Sequence, residues 1–436
     1  MSAVDETASA IAHLYRRAGF GIRQDELEAA TARGYQATVD RLLATAGVDP
    51  AADAVAVPTL TPPQPDANRN ATVEQRQTMQ RALRQESMQL ARWWFQRMVV
   101  AANPLAEKLP LFWHGHFATS VDKVRFGSLM YRQNQLFRAL GSGPFEDLTQ
   151  AVAKDPAMLV WLDANSDKKG HPNENFAREL MELFTLGLGN YTEDDVKAAA
   201  RAFTGWTFDP AAGQFRLRGG QHDDDPKTVL GVTGDLGGED VIRAAVHQPA
   251  SARFVVAKVW SHFAWPIDPT DPVVDGLLDA YGPDLHVGRL LRAVFLHPQF
   301  TSTQARTGLV KQPIEYVVGV VRALRLPPGD PRLVAVTGQL GQVLFAPPNV
   351  GGWPQNGYWL TTASAYARLR FAQAAVRAAD LSAIKAASPA ARPDAAARLL
   401  SIDGWGPSTT AALAQVADDP AALMVLALVA PEHVLN

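Results

Sequence analysis

A chain of 436 residues that is 47% apolar can bury a large core, while a net charge of −3 with 19% charged residues gives no general pull toward nucleic acid or anionic membrane. Cysteine is absent, which excludes disulfides, zinc thiolate centres and thiol nucleophiles. The opening stretch "MSAVDETASAIAHLYRRAGFG" places acids ahead of a short apolar run without a basic segment, so no secretory signal is expected and the expected compartment is the cytoplasm. No apolar run approaches the roughly 18 residues that a spanning helix needs.

Amphipathic patterns predict helices over residues 5–17 and 24–46, flanking the "AGFG" turn. Residues 48–70, "VDPAADAVAVPTLTPPQPDANRN", read as a Pro-rich loop. A long helix is expected from about Thr72 to Val100, then one entered at Pro104 and running into Trp113, followed by helices near 124–140 and 144–153. "TEDDVKAAARAFTG" has Thr192 and Asp195 at capping-box spacing and Gly205 as its stop. Residues 206–236 change character: "WTFD", "QFRLR" and "KTVLG", separated by Gly, Pro and Asp, predict a small β-hairpin insertion. Helices resume near Glu239, Ser251, Leu290 and Pro313; a Gly/Pro/Trp loop covers 346–360, and the Ala-rich C-terminus returns to helix. The expected fold is mainly α, a single large helical domain over 1–436 with that one β excursion.

"NENFARELMELFTLG", residues 173–187, carries the densest polar chemistry. At about 100° per residue, Asn175, Arg178, Glu179 and Glu182 share one face and Phe176, Leu180, Leu183 and Phe184 the other. A solvated face would explain this, with Glu174–Arg178 and Arg178–Glu182 as i,i+4 pairs worth about 0.2–0.5 kcal/mol each. Asn175 in the first turn is a poor choice for such a face. Neutral Asn beside a Glu–Arg–Glu group suits a hydrogen-bonded network in which Glu179 and Glu182 titrate apart, as acid–base catalysis requires.

Three further stretches could join it. "LFWHGHF" sets His114 and His116 around Gly115, where the helix is expected to end and free the rings; the bland alternative is imidazoles bonded to the last helical carbonyls. "QHDDDPKTVLG" offers His222, Asp223 and Lys227, either as a plain Asp-Pro turn or as groups reaching back to the Glu-rich helix, with Lys227 holding an anion or a Glu. "NVGGWPQNGYWL" offers Trp353 and Trp359 as aromatic platforms beside Asn349 and Asn356, or as packed core. No phosphate-binding glycine loop, dinucleotide fingerprint, H-E-x-x-H or G-x-S-x-G occurs.

Taken in order, "HLYRRAGFG", "LFWHGHFATS", "NENFARELMELFTLGLGNYTEDDVKAAARAFTGW", "HDDDPKTVLG", "ARFVVAKVWSHF", "VKQPIEYVVG" and "LGQVLFAPPNVGGWP" resemble the bacterial DUF1800 family, over about residues 10 to 375. The resemblance implies one helical unit and carries no established activity. Many members of that family look exported, so the resemblance leaves export open beside the cytoplasmic expectation.

The leading expectation is an enzyme with a carboxylate-centred acid–base site in a helical cleft, hydrolytic toward a carbohydrate-like or polyhydroxylated small molecule, with no cofactor and no nucleic-acid partner. Glu179 is its general acid or base and Glu182 the partner. Arg178 holds the ionised member, Asn173, Glu174 and Asn175 orient substrate or water, and His114, His222, Asp223 and Lys227 form the opposite wall. Trp353 stacks on the substrate. The second expectation is a metalloenzyme binding manganese, iron or zinc through His114, His116, Glu179, Glu182 and His222, although E-x-x-H spacing is missing. The third is a non-catalytic helical scaffold or partner-binding protein.

Overall fold

A computed structural model describes residues 3–44, 48–63, 71–210 and 212–435, without the side chains of 3–5. Residues 45–47 and 64–70, which include part of the expected Pro-rich loop, lie outside the described residues. The fold is mainly α, and among the described residues the strands form two antiparallel two-stranded sheets, all within 206–234. The expected single hairpin is two: β1 (Trp206–Asp209) pairs with β2 (Gln214–Leu217), and β3 (Lys227–Val229) with β4 (Val232–Gly234). The Gly-, Gln- and Asp-rich segment between β2 and β3 offers no β formers with which to join them. No described helix is long and apolar enough to cross a membrane.

The chain-order expectations hold with local corrections. The helix Val73–Val100 begins at the Thr72 N-cap, where the Thr72 side chain accepts from Gln75 N–H and Gln75 answers to the Thr72 N–H, an arrangement worth about 1 kcal/mol. The expected 24–46 helix breaks into Gln24–Arg33 and Tyr35–Ala44, because Gly34 between them sits at φ +88°. Only a residue without Cβ occupies that region cheaply. The helix Leu105–His116 continues through Gly115 and ends at Phe117, so it does not stop where the His-Gly-His pattern suggested. One buried apolar cluster runs from Ile11 to Val434 and draws on nearly every helix between.

The Glu-rich segment departs most from a regular helix. Glu174–Glu179 is α-helical, but Leu180–Thr185 widens into a π-helical turn. Its bonds are of the i+5 kind: the Leu186 N–H donates to the Met181 carbonyl at 2.8 Å, and the Thr185 hydroxyl to the Leu180 carbonyl at 2.6 Å. His116 donates from Nε2 to the Phe184 carbonyl at 2.9 Å, satisfying a group that the wider turn leaves over. Gly187, at φ +78°, ends the segment.

Candidate functional site

The segment 173–187 packs against the helix Glu193–Phe203, which fixes what each of its polar groups can meet. Near the start of that helix, Arg178 grips Glu193 with two bonds of 2.8 Å and Glu174 with one of 3.2 Å. Arg178 is therefore committed to Glu174 and Glu193 and does not hold Glu182, as the i,i+4 spacing had suggested. Glu182 instead accepts the Tyr191 hydroxyl at 2.8 Å. Glu179 is half-buried; burial first, then the negative charge of Glu182, raises its carboxyl above the ordinary glutamate range, against the pull of Arg178. Asn173 is the N-cap, accepting from the Asn175 N–H at 3.0 Å and donating to the Leu162 and Asp163 carbonyls at 3.2 Å, while Asn175 is exposed.

At the opposite end of the helix Glu193–Phe203, Thr204 and Arg201 organise the "HDDD" turn. The His222 ring donates from Nδ1 to the Thr204 carbonyl at 2.8 Å, which leaves Nε2 as its other ring nitrogen. Asp223 accepts Arg201 Nε at 2.7 Å and lies 3.7 Å from the Lys169 ammonium; the Arg201 bond holds its carboxyl far below the usual range. Asp223 is thus a structural anchor, and it is Asp224 that comes forward. Among the described residues, His222, Asp224 and Asp235 are the set of three whose ligand atoms all lie within 4.8 Å of one another, in an arrangement that could hold a metal ion. Lys227 is buried with its ammonium 3.7 Å from Asp235, so its partner is an acid of its own hairpin and not the Glu-rich helix.

The two groups engage different ends of the Glu193–Phe203 helix. Arg178 bonds Glu193 at the start of the Glu193–Phe203 helix, Glu182 bonds Tyr191 just before it, and His222 and Asp223 bond Thr204 and Arg201 at its end; no hydrogen bond or ion pair among the described residues joins His222 or Asp223 to Glu179 or Glu182. The histidines of "HGH" are also elsewhere. His114 is 1% exposed inside a cage of Trp94, Phe137, Phe345 and Trp353, with ring centroids at 5.2–6.1 Å. Burial pushes the imidazoles of both His114 and His116 down to about 3, so both are neutral core groups. The metal set His114, His116, Glu179, Glu182 and His222 is not brought together. Trp353 and Trp359, at 7% and 3% exposed, are packed core and offer no stacking face, which removes the structural ground for a sugar-ring platform.

Sequence reasoning missed Tyr191, Asp224 and Asp235. Tyr191 lies nine positions after Glu182 and beyond the Gly187–Gly189 turn, a separation that no helical periodicity connects. Asp235 is set opposite His222 by the fold of β3 and β4, which local spacing does not encode.

No curated protein and no solved structure matches the chain. The sequence profile of the family described as Protein of unknown function (DUF1800) matches residues 13–435. Nearly the whole helical unit, both ends of the Glu193–Phe203 helix included, falls within that match, and the chain belongs to the DUF1800 family.

Proposed function

We propose that the chain is an acid–base hydrolase whose proton donor is Glu179, with Glu182 and Tyr191 as the partner pair. The observation that carries this reading is a half-buried carboxyl raised by burial and by a neighbouring carboxylate, beside a π-helical turn. A raised carboxyl keeps its proton to higher pH than an exposed glutamate, and such groups collect where proton transfer is needed. π-Turns are frequent at functional sites, since the wider turn displaces side chains from helical register. In the reaction, Glu179 would protonate a leaving-group oxygen while Glu182, oriented by the Tyr191 hydroxyl, draws a proton from the attacking water. The reading is one of reaction class. A polyhydroxylated substrate would need the aromatic platforms expected beside Asn349 and Asn356, and those rings, Trp353 and Trp359, are buried.

The test is turnover of a panel of nitrophenyl esters and glycosides. Glu179→Gln is expected to keep the thermal midpoint and to lower turnover about a hundredfold, the ordinary loss for a general acid. In the wild type, rate should fall as pH rises through the raised Glu179 pKa, because the acid form is then lost. Turnover untouched in a folded Glu179→Gln protein would remove the residue from the chemistry.

A second reading is a divalent-cation site at His222, Asp224 and Asp235, favoured by the convergence of their ligand atoms and by the Thr204 carbonyl that orients the ring. Manganese or zinc titrated into the purified protein should bind with unit stoichiometry and weaken at least tenfold in His222→Ala and in Asp235→Asn. Lys227→Met should tighten binding, because its ammonium otherwise competes for Asp235. Equal affinity in all four proteins would eliminate this site.

A further inference from the structure

From Pro331 to Ala379 the chain carries four Arg and no Asp, Glu or Lys, although its net charge is −3. This stretch spans the helix Pro331–Gln339, the Gly/Pro/Trp loop with its turn Asn356–Trp359, and the helix Thr362–Ala378. The acids that border it are engaged. Asp330 caps its own helix and pairs with Arg332 at 2.7 Å, and Asp380 accepts from the Ser382 N–H at 2.8 Å. The helix Pro420–Val429, which packs on Thr362–Ala378, has no polar side chain and so adds no acid either.

Large apolar side chains stand out of this stretch: Tyr358 is 77%, Leu360 55%, Tyr366 61% and Leu369 37% exposed. Scattered singly they would need no explanation, but all four fall within 358–369. Trp359 holds them together. Its ring is buried, and its carbonyl accepts the Ser364 hydroxyl at 2.6 Å and the Arg368 guanidinium at 2.9 Å, which pins the turn onto the first two turns of the helix. Tyr358 and Leu360, on either side of Trp359, are left exposed next to the helix start. Within the helix Ser364, Arg368, Phe371 and Ala375 are buried, so at about 100° per residue the opposite face carries Tyr366, Leu369, Arg370, Gln373 and Arg377. Arg370 lies 5.9 Å from the centre of the Tyr366 ring and donates to its hydroxyl at 3.3 Å. The result is an exposed face of Tyr, Leu and Arg to which this stretch contributes no acid.

We propose that this face docks the protein on a membrane surface rich in anionic phospholipid. Charge selects the occupant. A twofold pairing of the face with a second copy of itself would set Arg370 and Arg377 against cations of the same kind, with no acid in the face to answer them. An anionic bilayer answers both, because the guanidinium fork matches a phosphate with two parallel bonds. Tyrosine suits the headgroup boundary, where its ring enters the apolar layer and its hydroxyl stays in water, and leucine adds apolar area. Side chains that project from a turn and a helix enter pliable lipid directly, whereas a protein partner must offer each a fitted pocket. No described helix is long and apolar enough to cross a membrane, so the contact is peripheral, with the helix Thr362–Ala378 lying along the surface.

The experiment uses the full chain and vesicles of phosphatidylcholine, alone or mixed with phosphatidylglycerol. The protein should sediment with the mixed vesicles and far less with the neutral ones, and added salt should release it. Tyr358→Ser combined with Tyr366→Ser should weaken binding to the mixed vesicles at least about tenfold. Arg370→Gln combined with Arg377→Gln should lower binding to the level of the neutral vesicles, while Arg332→Gln, whose guanidinium is already paired, should retain it. Melting temperatures check that each variant is folded, as substitutions at exposed positions should leave it. No sedimentation with either vesicle, equal sedimentation with both, or binding that the paired tyrosine change leaves intact overturns the proposal. So does a dimer of the full chain, seen by sedimentation velocity and dissolved by Tyr366→Ser, which would give the face to a second copy.

Discussion

Replacing Glu107 with glutamine is expected to cost roughly 3–5 kcal/mol of folding stability, the usual price of breaking a buried ion network from one side. Glu107 is fully buried, and every lone pair in use has a donor: Arg97 Nε at 2.8 Å on Oε1, and Trp94 Nε1 at 3.0 Å with Arg138 Nη2 at 2.7 Å on Oε2. Glutamine keeps the shape, but its NH2 group must face either the arginine Nε or the indole and the second guanidinium, donor against donor. The two arginines, which flank the Trp93 ring at 5.2 and 5.9 Å, would also lose their shared counter-charge in the interior. Arg97 keeps Asp53 at 2.7 Å, which limits the damage on that side. Urea unfolding would read the effect as a lower midpoint at unchanged slope. A loss under about 1 kcal/mol would show that water reaches the network. Replacing Glu107, Arg97 and Arg138 together by apolar residues should be far less damaging than Glu107→Gln alone, since no buried charge is then left unpaired and Asp53, which loses Arg97, is half exposed to water.

That network also marks the boundary of what the sequence reveals. Glu107, Arg97 and Arg138 lie in three helices, and nothing in the local pattern around any of them announces a partner. Helices were legible because their signals are local: the Thr72 and Thr192 boxes, Pro at first turns and apolar periodicity all act within one or two turns. The Gly34 break is local too, yet glycine inside a helical pattern is ambiguous until its φ is known. The candidate site was legible only in part. Glu179 and Glu182 were found because they share a helix face, and His222 because it sits beside three acids. That their partners lie at different ends of the Glu193–Phe203 helix is a property of tertiary packing and could not be seen from residue types. Polar residues in a distinctive motif were read as chemistry, whereas Asn173 caps, Asp223 anchors a turn and His116 serves the carbonyl of a π-turn. Buried polar groups satisfying backbone and ion pairs leave the same trace in a sequence as groups waiting for a substrate.

The glycines of "HGH" and "GGW" separate those two readings by experiment, because Gly352→Ala is expected to cost roughly 2–4 kcal/mol. Gly352 has φ +86°, where an added Cβ is strained by about 1 kcal/mol. That Cβ would also be driven deep inside van der Waals contact with the Gly115 carbonyl oxygen, a rigid backbone atom at the end of Leu105–His116. Overpacking against backbone adds about 1–3 kcal/mol, since no side chain can swing away. Its neighbours predict the contrast. Gly351→Ala meets only the Asn349 Oδ1 of its own exposed loop at 3.1 Å and should cost under about 1 kcal/mol. Gly115→Ala meets the Trp353 ring at an ordinary 3.7 Å and gains helix propensity of about 1 kcal/mol, so it should be neutral or stabilising. If Gly115 instead gave the histidines freedom to turn toward a ligand, Gly115→Ala would damage function while sparing the fold, and Gly352→Ala would not be the more destabilising of the two. Melting temperatures of the three variants decide it: a large drop confined to Gly352→Ala means that the Gly/Pro/Trp loop is clamped onto a helix end by close backbone contact, holding Trp353 over His114 as core and not as a recognition surface.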